Sequence, residues 1–587
     1  MSTLPTPYFT QTDRRARLLE RCPDLEPIFR RHVERNHIPG VAYGVVVDGE
    51  LIYSHSLGVR NVESNAGVDA DTVFRIASMT KSFVALAILQ LRDRGRLQLD
   101  EAVATYVPEF RDLVYPTTDS APITVRQLLS MNAGWPQDDP WGDRQIYRSD
   151  GAMSDFFRAG VSWSNPPGVT FEYSNYGYMV LGRIITNVAG VGALDYITRQ
   201  ILQPLGMTAT VWNPDDVPAD RLALGYRWED DEWKAEPLLT AGGDVAGFAG
   251  LFTSINDLAR WVALFQSAWP ARDEEEVVPL RRSSLREMGQ IWRTDAPSVT
   301  VPALGAPPKL IASGYGFGLS MRHNGTFESV GHGGGLPGFG SHMRWAPVYG
   351  VGVIALANLT YARVTGSCLE ALDQLITASE VKPYTIPVAP ALAAAREGVM
   401  GLLDGWDDGL ATTLFAENFF LDCDVAHWQQ TFDQLRAQHG MLTPDGPFVV
   451  ENWLRGSWRM TGAQGWCTLS ITMSPTVPPQ IQELEIDATL PPNETLQRVM
   501  AQVAALVNKP TKRAFSRLCA PGTDQTAWWD QVRLAHILCD QCTVGDVTGG
   551  DGVTWVAFQL VGTKRTLAVT INVNARRKPS LIEISAC

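Results

Sequence analysis

Two apolar runs near the start of the chain, Val41-Ala42-Tyr43-Gly44-Val45-Val46-Val47 and Leu51-Ile52-Tyr53, flank the turn pair Asp48-Gly49. That pattern predicts an antiparallel hairpin. Ahead of it, Arg14 to Arg35 reads as helix with a break near Pro23. Phe74-Arg75-Ile76-Ala77 reads as extended, and the apolar run Phe83 to Leu89 continues without Gly or Pro until Gly95, which predicts a helix. Helical and loop patterns fill about 75–240. Strand patterns return at His342-Met343-Arg344-Trp345 and at Val351 to Leu356, and a helix from Leu369 to Ser379 closes the region. Strands at both ends with helices between them predict an α+β fold: one antiparallel sheet plus a helical lobe, with a cleft between the two as the natural ligand site.

Residues 381–390, with Pro383, Pro387 and Pro390, read as a linker after a first domain of residues 1–380. Beyond it lie two diverged copies of one pattern, residues 391–489 and 490–587. Each begins with a helix (Ala391 to Leu403; Leu496 to Val507), passes a Trp-containing segment (Trp428; Trp529) and ends in strand runs. These include Thr468 to Met473 with Leu484 to Ala488 in one copy, and Thr566 to Ile571 with Ile582 to Ala586 in the other. Helices followed by a strand meander predict two small α+β units of nuclear-transport-factor-2-like or cystatin-like shape. A split lipocalin-like barrel is the alternative. No titratable cluster is expected to mark either copy, which points to a lid, a spacer or a homo-oligomerisation surface.

Composition narrows the partners. The 587 residues are 45% hydrophobic and 19% charged, with a formal net charge of −14. An acidic chain of this kind argues against nucleic acid or an anionic membrane as the main partner. Met1 to Leu18 is polar, without the apolar core of a signal peptide, and no run reaches membrane-spanning length, which predicts a cytoplasmic protein. Eight scattered cysteines, from Cys22 to Cys587, fit reduced thiols better than a disulfide scaffold. Cys539-Asp540-Gln541-Cys542 has half-zinc spacing with no second pair beside it, so no metal and no cofactor is expected.

The chemistry concentrates in three short segments. Ser78-Met79-Thr80-Lys81 sits where an extended segment gives way to a helix. Positions i and i+3 share a helix face, so a desolvated lysine can take the proton of the serine hydroxyl. Tyr173-Ser174-Asn175 follows the turn signal Pro166-Pro167-Gly168, and Gly331-His332-Gly333-Gly334-Gly335 precedes a strand. In that order the three segments resemble the motif set of serine β-lactamases and penicillin-binding proteins. His37 to Ala42, Ile123 to Leu129, Pro204-Leu205-Gly206-Met207, Ala249 to Ser254 and Asp257 to Arg260 extend the resemblance over about residues 25–375, in the class C-like branch with D-aminopeptidases, alkaline D-peptidases and esterases.

The resemblance implies Ser78 as nucleophile, with Lys81 and Tyr173 sharing the base role and a nearby ammonium favouring the Tyr173 phenolate. It implies Asn175 as the residue that orients Lys81 and binds a substrate amide. The backbone N–H groups of Ser78 and Gly335 become the carbonyl-oxygen donors, with Gly334 beside them on a strand edge open to substrate. His332 departs from the lysine found there in β-lactamases and transpeptidases. It is expected to be mostly neutral, to donate a hydrogen bond, and to weaken selection for a substrate carboxylate. In the loop Ala133 to Asp143, Asp138 or Asp139 can pair with a substrate α-ammonium or can cap a helix. Trp135 and Trp141 are candidate apolar walls. The expected function is a serine peptidase or amidase acting on short or unusual peptides, with D-residues or of nonribosomal origin. A carboxylesterase or acyltransferase and a catalytically silent sensor are the alternatives.

Overall fold

The computed structural model describes residues 4–276, 279–295, 297–300, 309–520 and 525–586. Residues 6–385 form one compact unit and residues 386–587 belong to a second. Cys587 lies outside the described residues. Cys22, Cys368, Cys423, Cys467, Cys519 and Cys542 are free thiols. No single helix among the described residues is long and apolar enough to cross a membrane.

The first unit is organised by a ten-stranded sheet. Its main strands are β1 (Gly40–Val47), β2 (Glu50–Asn61), β3 (Lys309–Tyr315), β4 (Ser320–His323), β5 (Glu328–Leu336), β6 (Phe339–Ala346) and β7 (Val351–Ala357). They lie side by side in the order β2-β1-β7-β6-β5-β4-β3 with antiparallel pairing throughout. The expected hairpin is present. Asp48 and Gly49 take φ of 50° and 84°, the left-handed pair that a two-residue turn needs to match strand twist.

Both faces of the central strands are covered, which is why their sequences lack polar alternation. Val41, Tyr43, Val45 and Val47 join one apolar cluster, while Ala42 and Val46 join the other. The helical entry segment is split as its proline suggested, into Arg14–Arg21, a 3₁₀ turn Cys22–Leu25 and Glu26–Arg35. These helices cover the first face together with the closing helix, Thr365–Ala378; Leu18, Phe29 and Leu372 share one buried apolar cluster with Val45 and Val353. The second face carries the helical lobe, including α1 (Thr80–Asp93), α2 (Asn175–Ala189) and α3 (Ile255–Gln266). Every residue of α1 from Thr80 to Leu91 is buried. Its Phe83 stacks on Trp261 of α3 with ring centroids 3.7 Å apart. A helix with apolar contacts all round is a core strut, and it holds its own N-terminus in a fixed place.

The second unit contains two copies of helices followed by an antiparallel meander. One copy has helices including Pro390–Asp404 and Val425–His439 and a five-stranded sheet whose core strands are Arg455–Thr461, Trp466–Met473 and Ile481–Thr489. The other has Glu494–Asn508, Lys512–Leu518 and Gln525–Cys539, with a four-stranded sheet from Cys542–Gly550 to Pro579–Ala586. In each copy the middle strand alternates half-buried and buried positions, as a sheet with one helix-covered face requires. The two sheets are separate open meanders, each with its own apolar core, so the split-barrel alternative does not describe them.

Candidate active site

Ser78 lies in a 3₁₀ turn, Ala77–Met79, that runs directly into α1. Ala77 has φ of 49°, a left-handed conformation that costs a non-glycine residue about 1 kcal/mol or more and persists only where neighbours impose it. Those neighbours are visible. Ile76 donates its N–H to the Leu251 carbonyl at 2.9 Å, and Ser341 Oγ of β6 donates to the Ile76 carbonyl at 2.7 Å. A Cβ on Gly334 would stand 2.1 Å from the Ile76 oxygen and 2.5 Å from Ser341 Oγ. Only glycine lets β5 come this close to the turn that presents Ser78.

Lys81 follows one helical turn later and is fully buried. Its Nζ donates to Ser78 Oγ at 2.9 Å, to Asn175 Oδ1 at 2.7 Å and to the Phe248 carbonyl at 3.1 Å. The ring centroids of Tyr173, Phe248 and Tyr178 lie 4.9, 5.2 and 5.8 Å from Nζ. Burial penalises the ammonium and pushes its pKa down to about 8, against a smaller opposing pull from Asp139, Asp143 and Asp138. The amine is therefore within reach of neutrality near physiological pH.

Tyr173 lines the cavity beside Ser78, with its ring centroid 4.9 Å from Lys81 Nζ. Its ionisation runs opposite to expectation. Burial holds the phenol well above its ordinary pKa and outweighs the lowering influence of the Ser78 hydroxyl, so Tyr173 keeps its proton at neutral pH. The low-pKa partner of the pair is Lys81.

His332 corrects a second expectation. Its Nδ1–H donates to the Gly333 carbonyl at 2.5 Å, and Nε2 accepts from the Tyr315 hydroxyl at 3.0 Å. Burial and the neighbouring Lys81 cation push its pKa down to about 3. The ring is neutral, as expected, but its single N–H is committed to the protein and is not offered to a substrate.

Asn175 is also spent inside the structure. It is fully buried, accepts from Lys81 through Oδ1, and donates through Nδ2 to Asp139 Oδ1 at 2.9 Å. It orients Lys81 and leaves no group for a substrate amide. Asp138 accepts the backbone N–H groups of Asn175 and Tyr176 at 2.7 and 2.9 Å, which is the helix-capping arrangement at the start of α2. Trp141 is 41% exposed and stacks on Phe156 at 5.6 Å, while Trp135 is packed in the core against Tyr176 and Phe110, so neither forms a wall of the cavity. Asp139 does line it.

The cavity above Ser78 has a volume of about 340 Å³, and its walls include Asp139, Asp143, Tyr173, Gly335, Tyr361 and Arg363. Sequence reasoning missed Asp143 and Tyr361. Asp143 is 3% exposed, accepts from the Tyr361 hydroxyl at 2.7 Å, and is pushed up to about pKa 6 by burial. Only its acidity within a loop already flagged for Asp138 and Asp139 could have suggested it. On the sheet side, β4 pairs with β5 no further than Ser320↔Gly331. Gly333, Gly334 and Gly335 therefore present an unpaired strand edge to the cavity. Among the described residues no cluster of three or more His, Cys, Asp or Glu is arranged to hold a metal ion.

A family model described as Beta-lactamase matches residues 25–374, more than half of the chain. Protein flp of Staphylococcus aureus (strain COL) is 29% identical over 338 residues, covering 57% of this chain and 62% of that protein. Unguisins hydrolase ungD' of Aspergillus campestris is 26% identical over 347 residues, 58% of this chain and 62% of the relative. The chain thus spans about 62% of the length of these curated relatives. The octameric penicillin-binding protein homologue from Pyrococcus abyssi superposes with a TM-score of 0.51 at 18% identity, covering 96% of this chain and 98% of that one, a likeness of fold. The chain belongs to the beta-lactamase family.

Proposed function

We propose that the protein is a serine amidase or peptidase that cleaves short or unusual peptides through an acyl-enzyme on Ser78. The observation that carries the reading is Lys81: a fully buried amine, 2.9 Å from Ser78 Oγ and with its pKa pushed down to about 8. Neutral Lys81 accepts the Ser78 proton as Oγ bonds to the substrate carbonyl carbon. Tyr173, kept protonated by burial, passes its proton to the leaving nitrogen as the C–N bond breaks, and Lys81 then reprotonates it. Water repeats the sequence in reverse to release the acid. The backbone N–H groups of Ser78 and Gly335 take the carbonyl oxygen, a role in which each donor contributes roughly 3 kcal/mol. A peptide running along the open edge of β5 gains strand-like hydrogen bonds.

The walls suggest the charge of the substrate. His332 is neutral, and the carboxyls of Asp139 and Asp143 outnumber the Arg363 guanidinium on the cavity wall, so a free amino group on the acyl side suits it better than a carboxylate. The unguisins hydrolase among the relatives supports hydrolysis as the reaction. The octameric relative supports a homo-oligomer, with the C-terminal repeats as the candidate surface.

A fluorophosphonate probe should label the wild type and not Ser78→Ala, and the enzyme should turn over aminoacyl anilides as well as activated esters. Turnover of esters alone would move the assignment to a carboxylesterase or acyltransferase. Absence of labelling in the wild type would favour a silent sensor.

A further inference from the structure

The second C-terminal repeat carries a feature that the linear sequence scatters. Arg498, Lys509, Arg517, Arg576, Arg577 and Lys578 gather around one groove of about 710 Å³. Its floor is apolar: Val499 and Leu506 from the helix Glu494–Asn508, each 4% exposed, and Leu518 from the helix Lys512–Leu518. Thr495, Arg498, Gln502, Ala505 and Lys509 recur every three or four residues, so a single face of the longer helix forms one wall. The opposite wall is the strand-connecting turn before Pro579–Ala586. There Asn574 Oδ1 accepts the N–H groups of Arg576 and Lys578 at 2.9 and 3.2 Å, and Arg577 takes φ of 60°. Lys578 Nζ donates to the Arg517 carbonyl at 3.2 Å and ties that turn to the shorter helix. Three successive cations are thus held at one lip by a left-handed turn, facing three more from two helices.

Among the described residues no acidic side chain lines the groove. The ion pairs formed within this repeat among the described residues, Arg533–Asp530 and Lys564–Asp540, lie elsewhere. Such a cluster repels itself in the absence of a counter-charge. The fold does not require it, because the preceding repeat has the same order of elements with the opposite charge. Residues 391–489 carry four Lys and Arg against thirteen Asp and Glu, a net of −9. Residues 490–587 carry eleven against seven, a net of +4, in a chain of net −14. One architecture with two charge states separates the basic rim from the demands of packing.

We propose that this groove is a binding site for a small anionic amphiphile, a phosphate or carboxylate head on an apolar tail. The head meets the rim guanidinium groups, which hold such oxyanions through paired N–H donors, and the tail lies along Val499, Leu506 and Leu518. The groove has the volume of a small-molecule site rather than the flatness of a protein interface. The site is independent of Ser78 and does not rest on the hydrolase reading.

Calorimetric titration of the full-length protein tests it, with monomeric dodecyl phosphate and dodecanoate as probes, and inorganic phosphate and dodecyl maltoside as controls. At least one anionic amphiphile should bind with one-to-one stoichiometry, and the stronger of the two identifies the head group. Inorganic phosphate and the uncharged amphiphile should bind at least ~10-fold more weakly. Arg498→Gln/Arg576→Gln/Arg577→Gln should weaken binding by ~10-fold or more at an unchanged thermal midpoint, and Val499→Glu should weaken it through the floor. Ser78→Ala should bind as the wild type does. Equal binding by the triple variant, equal binding of the uncharged amphiphile, or no binding of either anion overturns the proposal. So does a triple variant that changes only the oligomeric state, which would assign the rim to a second copy of the chain.

Discussion

Replacing Asn175 by Leu removes one of the three acceptors that hold the Lys81 ammonium while nearly preserving volume. The lost bond is 2.7 Å long and lies in a fully buried site where water cannot replace it. A hydrogen bond to a charged group contributes about 1.5–3 kcal/mol, and 1.36 kcal/mol corresponds to one pKa unit, so the Lys81 pKa should fall by roughly 1–2 units. The sign follows from which form loses support: the bond stabilises the protonated amine, so its removal favours the neutral one. In the wild type, kcat/KM for an uncharged ester should rise with pH through about 8 as Lys81 loses its proton, then level off. In Asn175→Leu the rise should come roughly 1–2 units lower, at a reduced plateau because the amine is no longer aimed at Ser78 Oγ. A pH profile of kcat/KM over a stopped-assay range of about 5–10 measures both quantities. An unmoved inflection, or one displaced upward, would refute the assignment of Lys81 as the titrating base.

Further outcomes follow from the same geometry. Lys81→Met should raise the thermal midpoint at neutral pH, because an amine whose pKa falls from 10.5 to about 8 on folding destabilises the fold by about 3 kcal/mol below pH 8. That penalty fades as pH rises toward 10.5, so the gain measured by thermal unfolding at pH 7 should largely vanish at pH 10.5; a pH-independent gain would contradict it. Asp143→Asn should raise KM about tenfold for substrates with a free amino group and spare their acetylated counterparts. In the wild type the same preference should strengthen as pH rises through about 6, where the Asp143 carboxyl ionises; equal effects on both substrates would remove the anchor. Gly334→Ala should cost more than ~2 kcal/mol in stability and most of the activity, since its Cβ would meet the Ile76 oxygen at 2.1 Å.

The parts of this fold legible in the sequence are those fixed by short-range pattern. Asp48-Gly49 marks a turn because both positions need positive φ, and the runs around it carry the β1–β2 pairing. Ser78 and Lys81 meet because helical spacing brings i and i+3 together, although the serine sits in a 3₁₀ turn rather than within the helix. What sequence reasoning misjudged was electrostatic and long-range. The direction of the Tyr173 shift depends on burial among Tyr315, His332 and Lys81, which are distant in sequence and which no local motif encodes. Asp138, Asp139 and Asp143 are neighbours in one loop, yet one caps α2, one holds Asn175 and one faces Tyr361, more than 200 residues away. His332 lost its expected donor role to a hydrogen bond with the next residue's own carbonyl. The basic rim of the last repeat was equally hidden, because its six cations come from three separate elements.

The most direct test of the central claim is intact-protein mass spectrometry of the enzyme quenched during turnover of a slowly hydrolysed ester, followed by peptide mapping. A mass increase equal to the acyl group, located on Ser78 and absent in Ser78→Ala, is the predicted result. An acyl group on any other residue, or turnover that proceeds unchanged in Ser78→Ala, would contradict it.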